Sequence, residues 1–253
     1  MTRRPCDRLA PRYISSVDSG NLAAHLLTLR AGLLALPDQR IFSARVFEGL
    51  ADTLGLLPDV MREPDQEAVR GLRSLLYAVS ESPGTRLPAI RQQLAAIADA
   101  TAALAIGWTG PPEDEATTWI AALSRQAGDA LEDLASLTPW LDGSATPSDL
   151  DRRAQIEGIP TLRELAAAGI ERAVARIADL ERLAQQASEF ATANYEFLYD
   201  RTRHLLAIGY NVDDHRRDTS FYDLLASEAR LCTFVAIAQG SCRRKAGSPS
   251  AGC

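Results

Sequence analysis

The sequence predicts a mainly α-helical protein. Three observations carry that expectation. Apolar residues return at alternating steps of three and four, the spacing of one helix face, as in Leu87, Ile90, Leu94, Ile97, Thr101 and Leu104. The region 59–193 is rich in alanine, the strongest helix former, and contains no Gly-rich phosphate loop. A single β-hairpin pattern stands near 195–212.

The chain opens with residues 1–12, basic and broken by Pro5 and Pro11, read as a short disordered end. Tyr13-Ile14 leads into a helix that Asp18 or Ser19 can cap, with Leu22, Leu26, Leu29 and Leu33 as its apolar stripe. A shorter helix is expected over 41–57, and Pro58 and Pro64 bracket the turn after it. Residues 65–81 are helical again, with Val69, Leu72, Leu76 and Val79 on one face, and Ser82-Pro83-Gly84 ends them. A helix over 87–106 stops at Gly107–Pro112. The next, over 114–137, has Trp119, Leu123, Ala127, Leu131 and Leu134 facing inward and ends at Thr138-Pro139-Trp140. A loop at 141–148 and a short helix near 149–156 precede the longest helix, 161–193, with Ile170, Ala173, Ile177, Leu180 and Ala184 on its stripe. The domains expected are 1–12 as a basic end, 13–58 as the first helices, 59–193 as a helical insert, 194–239 as hairpin plus helix, and 240–253 as a disordered tail.

Composition narrows the function classes. The chain has 253 residues, 46% of them hydrophobic, and a formal charge of −6, with a net positive balance at both ends and a net negative interior. An acidic body does not suit a nucleic-acid binder, whose affinity rests on neutralising phosphates. The cysteines Cys6, Cys232, Cys242 and Cys253 form no C-x-x-C, and His25, His204 and His215 are scattered, so neither a metal site nor a cofactor is expected. No apolar run is long enough for a transmembrane helix and no secretory signal stands at the N-terminus, which gives a soluble, cytoplasmic expectation.

The most informative stretch is Tyr195–Gln239. The runs Tyr195–Tyr199 and His204–Val212 flank the turn Asp200-Arg201-Thr202-Arg203. A helix follows, with Ser220 and Asp223 in capping-box spacing and Phe221, Leu224, Leu225, Leu231, Cys232 and Val235 as its apolar positions. Glu228 falls inside that stripe. A carboxylate there is costly to bury unless something pairs with it or uses it. Burial would raise its pKa, as a general acid requires; pairing with Arg230 or another arginine is the structural alternative. Tyr210, Asn211, Asp218, Tyr222 and Asp223 surround the entrance of this helix, and aromatic faces beside amides and carboxylates suit glucose rings. Asp223 can equally be only a cap and Tyr222 only core. Asp18, Ser19 and Asn21 cluster where free backbone N–H groups point, so they can hold a sugar hydroxyl or simply cap the helix.

Two distant segments carry a family resemblance: RYISSVDSGNLAAHLLTLRAGL, residues 12–33, and FLYDRTRHLLAIGYNVDDHRRDTSFYDLLASEARLCTFVAIAQG, residues 197–240. Both resemble the middle, glycoamylase-like region of cyclic β-1,2-glucan synthases, large enzymes of the bacterial inner membrane. The resemblance implies a partial (α/α)6-toroid-like domain with a long helical insert. It implies β-1,2-glucan as the partner and cyclisation of linear glucan by transglycosylation as the parent activity, beside a membrane-bound glycosyltransferase part and a phosphorylase-like part that this chain lacks. It also implies an acid/base role for Glu228 in the LLASEAR motif. Retaining transglycosylation needs two carboxylates about 5–5.5 Å apart, and in the family the further glutamates lie downstream of that motif. The chain is therefore expected to be inactive alone. Its last residues, SCRRKAGSPSAGC, depart from the family pattern and give the expectation of a truncated or frameshifted product. A non-catalytic all-α scaffold and a glucan-binding module without catalysis are the competing readings.

Overall fold

A computed structural model describes residues 12–60, 66–141, 158–222 and 229–240. The fold is mainly α-helical with a few short strands. The chain divides into two compact units, Met1–Ala35 together with Asp179–Cys253, and Leu36–Ala178.

In the second unit, helices α2 (Arg45–Gly55), α3 (Leu57–Val60), α4 (Gln66–Glu81), α5 (Leu87–Gly107) and α6 (Glu115–Leu137) pack into a bundle. The expected face of α4 is the observed one: Val69, Leu72, Leu76 and Val79 are all buried. Leu87, Ile90, Leu94, Ile97 and Thr101 of α5 are buried as well. Each leucine taken fully out of water contributes about 1.5–3 kcal/mol, so this periodicity is what holds the bundle together. Thr101 tolerates burial because its hydroxyl donates to the Ala98 carbonyl at 2.9 Å. On α6, Leu123, Ala127 and Leu134 are buried as expected, and the difference lies at the start of the stripe. Ile120 is buried, while Trp119 lies partly exposed and its indole N–H donates to Glu115 Oε1 at 3.3 Å. Thr53 of α2 donates to Gln126 Oε1 of α6 at 2.9 Å, a polar tie between the two helices.

The single helix expected over 161–193 is two helices, α7 (Leu162–Ala167) and α8 (Glu171–Ala191). Thr161 and Glu164 form a reciprocal capping box at the start of α7. At its end Gly169 takes φ +81°. The Gly169 N–H donates to Ala166 O and the Ile170 N–H to Leu165 O, both at 3.0 Å. That is the Schellman closure, which a residue with a Cβ adopts only under strain. The run Ala166-Ala167-Ala168 favours helix on both sides, so the break rests on the glycine.

In the first unit, β1 (Tyr13–Ser15) leads directly into α1 (Ser16–Ala35). The cap is Ser15 rather than Asp18 or Ser19: its hydroxyl oxygen accepts the Asp18 N–H at 3.2 Å. The buried face of α1 is Ser16, Gly20 and Ala23, not the leucine stripe; Leu22 is 61% and Leu29 52% exposed. These small residues let α9 (Ala229–Ala238) lie close. A Cβ on Gly20 would fall on the Cα and Cβ of Cys232 and 2.9 Å from its Sγ. Ala23 clusters with Val235 and with Ala191 at the end of α8.

The strands form two small sheets. β2 (Tyr199–Asp200) pairs antiparallel with β3 (Leu205–Leu206). This is the expected hairpin, although Glu196–Leu198 before it is a 3-10 turn rather than strand. Asp200 Oδ1 accepts the Thr202 and Arg203 N–H groups and so shapes the turn. β4 (Gly209–Asn211) lies between β1 and β5 (Arg216–Arg217), antiparallel to both. The expected helix from Phe221 does not start there: Phe221 forms a β-bridge with Ala207 and carries the Arg203 guanidinium 4.8 Å from its ring centroid. Residues 1–11, the loop and helix expected over 141–156 (apart from Leu141), the stretch 223–228 with Leu224 and Leu225, and the tail 241–253 lie outside the described residues. Among the described residues no helix is long and apolar enough to cross a membrane.

Candidate functional site

The site is built where β1 meets β4. Tyr13 stands opposite Asn211, Ile14 opposite Tyr210 and Ser15 opposite Gly209. Successive side chains on a strand point to opposite faces, so Tyr13 shares a face with Gly209 and Asn211 while Tyr210 points the other way. The Tyr13 ring lies against the space that a Cβ on Gly209 would fill. Its hydroxyl donates to Asp218 Oδ2 at 3.2 Å. Asp218 Oδ1 accepts the Ser220 N–H at 3.1 Å, and the Asp218 N–H donates to Gly209 O at 3.0 Å.

This pairing sets the electrostatics. The Ser220 N–H leads in holding the Asp218 carboxyl below the usual carboxylate range; burial opposes it, and the Tyr13 hydroxyl, the Thr219 N–H and the Ser220 hydroxyl add to the lowering. Tyr13 moves up: partial burial leads, followed by its bond to Asp218, with Tyr222 near enough to add a small contribution. Each partner's shift favours a neutral phenol donating to an ionised carboxylate. Tyr13 and Asp218 thus share one place. Tyr13 is 45% exposed, and Asp218 and Tyr222 are partly so.

The other expected residues have different surroundings. Asn211 spends its amide on the turn that follows: Oδ1 accepts the Asp213 and Asp214 N–H groups, both at 3.0 Å, and Nδ2 donates to Asp214 Oδ2 at 2.7 Å. Tyr210 packs edge-on against Phe197, with ring centroids 5.3 Å apart, and against the core of Tyr195, Leu198, Leu206, Cys232 and Ala236. Asp18 is exposed in the first turn of α1. The Ser19 hydroxyl donates to the Ser15 carbonyl at 2.7 Å, and its own carbonyl accepts from the Tyr195 hydroxyl. Asn21 is partly exposed one turn along. Asp223 and Glu228 lie outside the described residues. Among those described, no group of three or more His, Cys, Asp or Glu stands where it could hold a metal ion.

Sequence reasoning missed Tyr13 as a member of the site. Its chain neighbours gave no hint; the signal lies in the long-range pairing. Arg12 fastens that strand. Its backbone N–H donates to Asp213 Oδ2 at 2.9 Å and its guanidinium to Asp213 Oδ1 at 2.6 Å, while its carbonyl accepts the Val212 N–H at 2.9 Å. These bonds from Arg12 also lower the Asp213 carboxyl below its ordinary value.

No family model matches the chain. Over 250 residues, 94% of this chain, it is 31% identical to the cyclic β-(1,2)-glucan synthase NdvB of Rhizobium meliloti (strain 1021). The chain belongs to the cyclic β-1,2-glucan synthase family. It spans 8% of the length of that relative. Relative to the cyclic β-1,2-glucan synthase, then, both units of this fold fall within one short stretch of a far longer protein.

Proposed function

We propose that this chain is part of the glucan-handling region of its family, the region that closes linear β-1,2-glucan by transglycosylation. The similarity to a cyclic β-(1,2)-glucan synthase along nearly the whole chain carries this reading. The exposed aromatic and carboxylate cluster at the β1–β4 pairing supports it, because sugars are held by ring faces and by acceptors for their hydroxyls. Asp218 and Tyr222 contribute to glucan contact, together with Asp18, Ser19 and Asn21 on α1 and with Asp223, which lies outside the described residues; Tyr210 and Asn211 serve packing and the turn instead. Glu228 is the acid/base carboxylate. One carboxylate cannot run a double displacement, so the chain by itself binds glucan without closing it.

The test is calorimetric titration of the chain with linear β-1,2-glucan, against a linear β-1,3-glucan of equal length. Selective binding of the β-1,2 polymer with no cyclic product is expected. Equal or absent binding of both polymers refutes the reading. An all-α scaffold is the second reading, and the exposure of Leu22 and Leu29 on α1 and of Phe234 on α9 favours it, since those apolar faces await a cover. A defined oligomer with a single cooperative melt, together with no glucan affinity, is the outcome it requires.

A further inference from the structure

We propose that the leucine stripe Leu22, Leu26, Leu29 and Leu33 of α1 is a docking face for an amphipathic helix with an acidic flank, supplied by the part of the family's polypeptide that this chain does not span. The inference rests on family membership and on the packing of α1, and is independent of glucan contact.

The four leucines recur at steps of four and three, which puts them on one helix face about 17 Å long. A stripe of that kind ordinarily faces a core. Here Leu22 is 61% and Leu29 52% exposed, and Leu26 and Leu33 are only partly buried. α9 packs on another side of the helix, at Gly20 and Ala23. Beyond Ala23, α1 buries no residue, although the twelve that remain include five leucines. The stripes of α4 and α5 are written in the same way and are covered. The sequence thus encodes a core face on α1 that the described elements leave open, and an open apolar face of regular helical spacing marks an interaction surface.

Charge decides what covers it. From Ser19 to Ala35 the helix has no acid, and Arg30 is its one arginine or lysine. At about 100° per residue, Asp18 and His25 border the stripe on one flank and Arg30 borders it on the other. A second copy of α1 laid antiparallel sets each flank against itself. Laid parallel, it brings His25 towards Arg30 and leaves Asp18 about 18 Å away along the axis. Neither arrangement gives Arg30 a carboxylate, and complementary flank charges are what select a helix partner. A different helix, with Asp or Glu beside its apolar face, answers Arg30. More than nine-tenths of the length of the Rhizobium meliloti synthase lies outside the span of this chain, so the family has ample polypeptide to supply that helix.

The experiment uses the full 253-residue chain and the full-length Rhizobium meliloti synthase. Leu29→Cys in the chain, and a cysteine at the aligned position of the synthase, are alkylated with a maleimide, and the rate at that peptide is read by mass spectrometry. Thiol reactivity follows access, so the synthase is expected to react roughly tenfold or more slowly than the chain. A second cysteine in the synthase, aligned with Arg30, carries a maleimide–hydrazide reagent that couples to activated carboxyl groups. The captured Asp or Glu is expected to lie on the same polypeptide, outside the stretch matched to this chain. Sedimentation of the chain alone is expected to show a monomer. Equal alkylation rates overturn the proposal, because the face is then open in the longer protein as well. Capture of no carboxyl group overturns it, as does capture within the matched stretch of a second molecule. A dimer of the chain that Leu29→Gln dissolves overturns it in favour of a second copy.

Discussion

Replacing Gly20 with alanine adds one methyl group at the closest approach of two helices. That methyl would overlap the Cys232 Cα and Cβ atoms, and because one of them is backbone a change of rotamer cannot relieve it. The backbone of α9 has to move away from α1, which opens contacts around Ala23 and Val235. Overpacking of this kind costs about 1–3 kcal/mol. Alanine recovers up to about 1 kcal/mol through its better helix propensity. The net expectation is a loss on the order of 1–2 kcal/mol, or a Tm lowered by roughly 2–8 °C. Gly32→Ala is the control on the same helix. Nothing lies within 4 Å of its added Cβ, so only the propensity gain applies and stability should rise by up to about 1 kcal/mol. Thermal melts followed by far-UV circular dichroism compare the two. If Gly20→Ala is as stable as the unmodified chain, or moves with Gly32→Ala, the close packing of α1 on α9 is wrong.

Acid should weaken the sheet region. Asp200, Asp213 and Asp218 all sit below their ordinary carboxylate values: the Arg203 N–H leads for Asp200, the Arg12 N–H for Asp213 and the Ser220 N–H for Asp218. A depressed native pKa stabilises above the unfolded value, about 3.9. That contribution is lost as pH falls through the lower native values. Stability measured by urea unfolding should therefore decline below about pH 4, and Asp200→Asn with Asp213→Asn should flatten that decline; an unchanged acid limb in the double variant counts against these bonds. Gly169→Ala should cost about 1–2 kcal/mol, because an L-residue is forced to a positive φ; equal stability would mean that the break between α7 and α8 does not need its glycine. Arg176 bridges both oxygens of Asp133 between α8 and α6, with both side chains partly exposed. Arg176→Ala should cost no more than about 1 kcal/mol after solvent screening, and a loss of several kcal/mol would show that the pair is far better shielded than its exposure indicates.

Elements whose burial depends on large apolar side chains were legible in the sequence. The α4 face was read correctly because Val69, Leu72, Leu76 and Val79 do the burying and nothing competes with them. α1 misled for the converse reason. Leu22 and Leu29 point outward, Leu26 only flanks the contact, and the buried face consists of Ser16, Gly20 and Ala23, whose value is closeness of approach rather than area. Hydrophobic periodicity does not register closeness. The α7–α8 break was hidden in an alanine-rich run where propensity favours continuation and one glycine decides the matter. The site divides the same way. Asp218 and Tyr222 were visible as polar and aromatic residues beside a hairpin. Tyr13 entered only through a strand pairing that local pattern cannot supply, and Asn211, chemically suited to a sugar, is held by the turn it shapes.

The bond between Arg12 and Asp213 joins positions 201 residues apart. A ribosome extends a chain at about 5–20 residues per second, so roughly 10–40 s separate the synthesis of the two partners. During that interval the nascent β1 edge and the small-residue face of α1 are without their mates, whereas the partners of α2 and α4–α6 emerge within a much shorter stretch of chain. Maturation of the two units is thus ordered in time by the genetic order of their segments. The bundle can be complete while the sheet that holds Tyr13 is still waiting for its second strand, and that waiting strand is where a nascent-chain chaperone would have its longest opportunity.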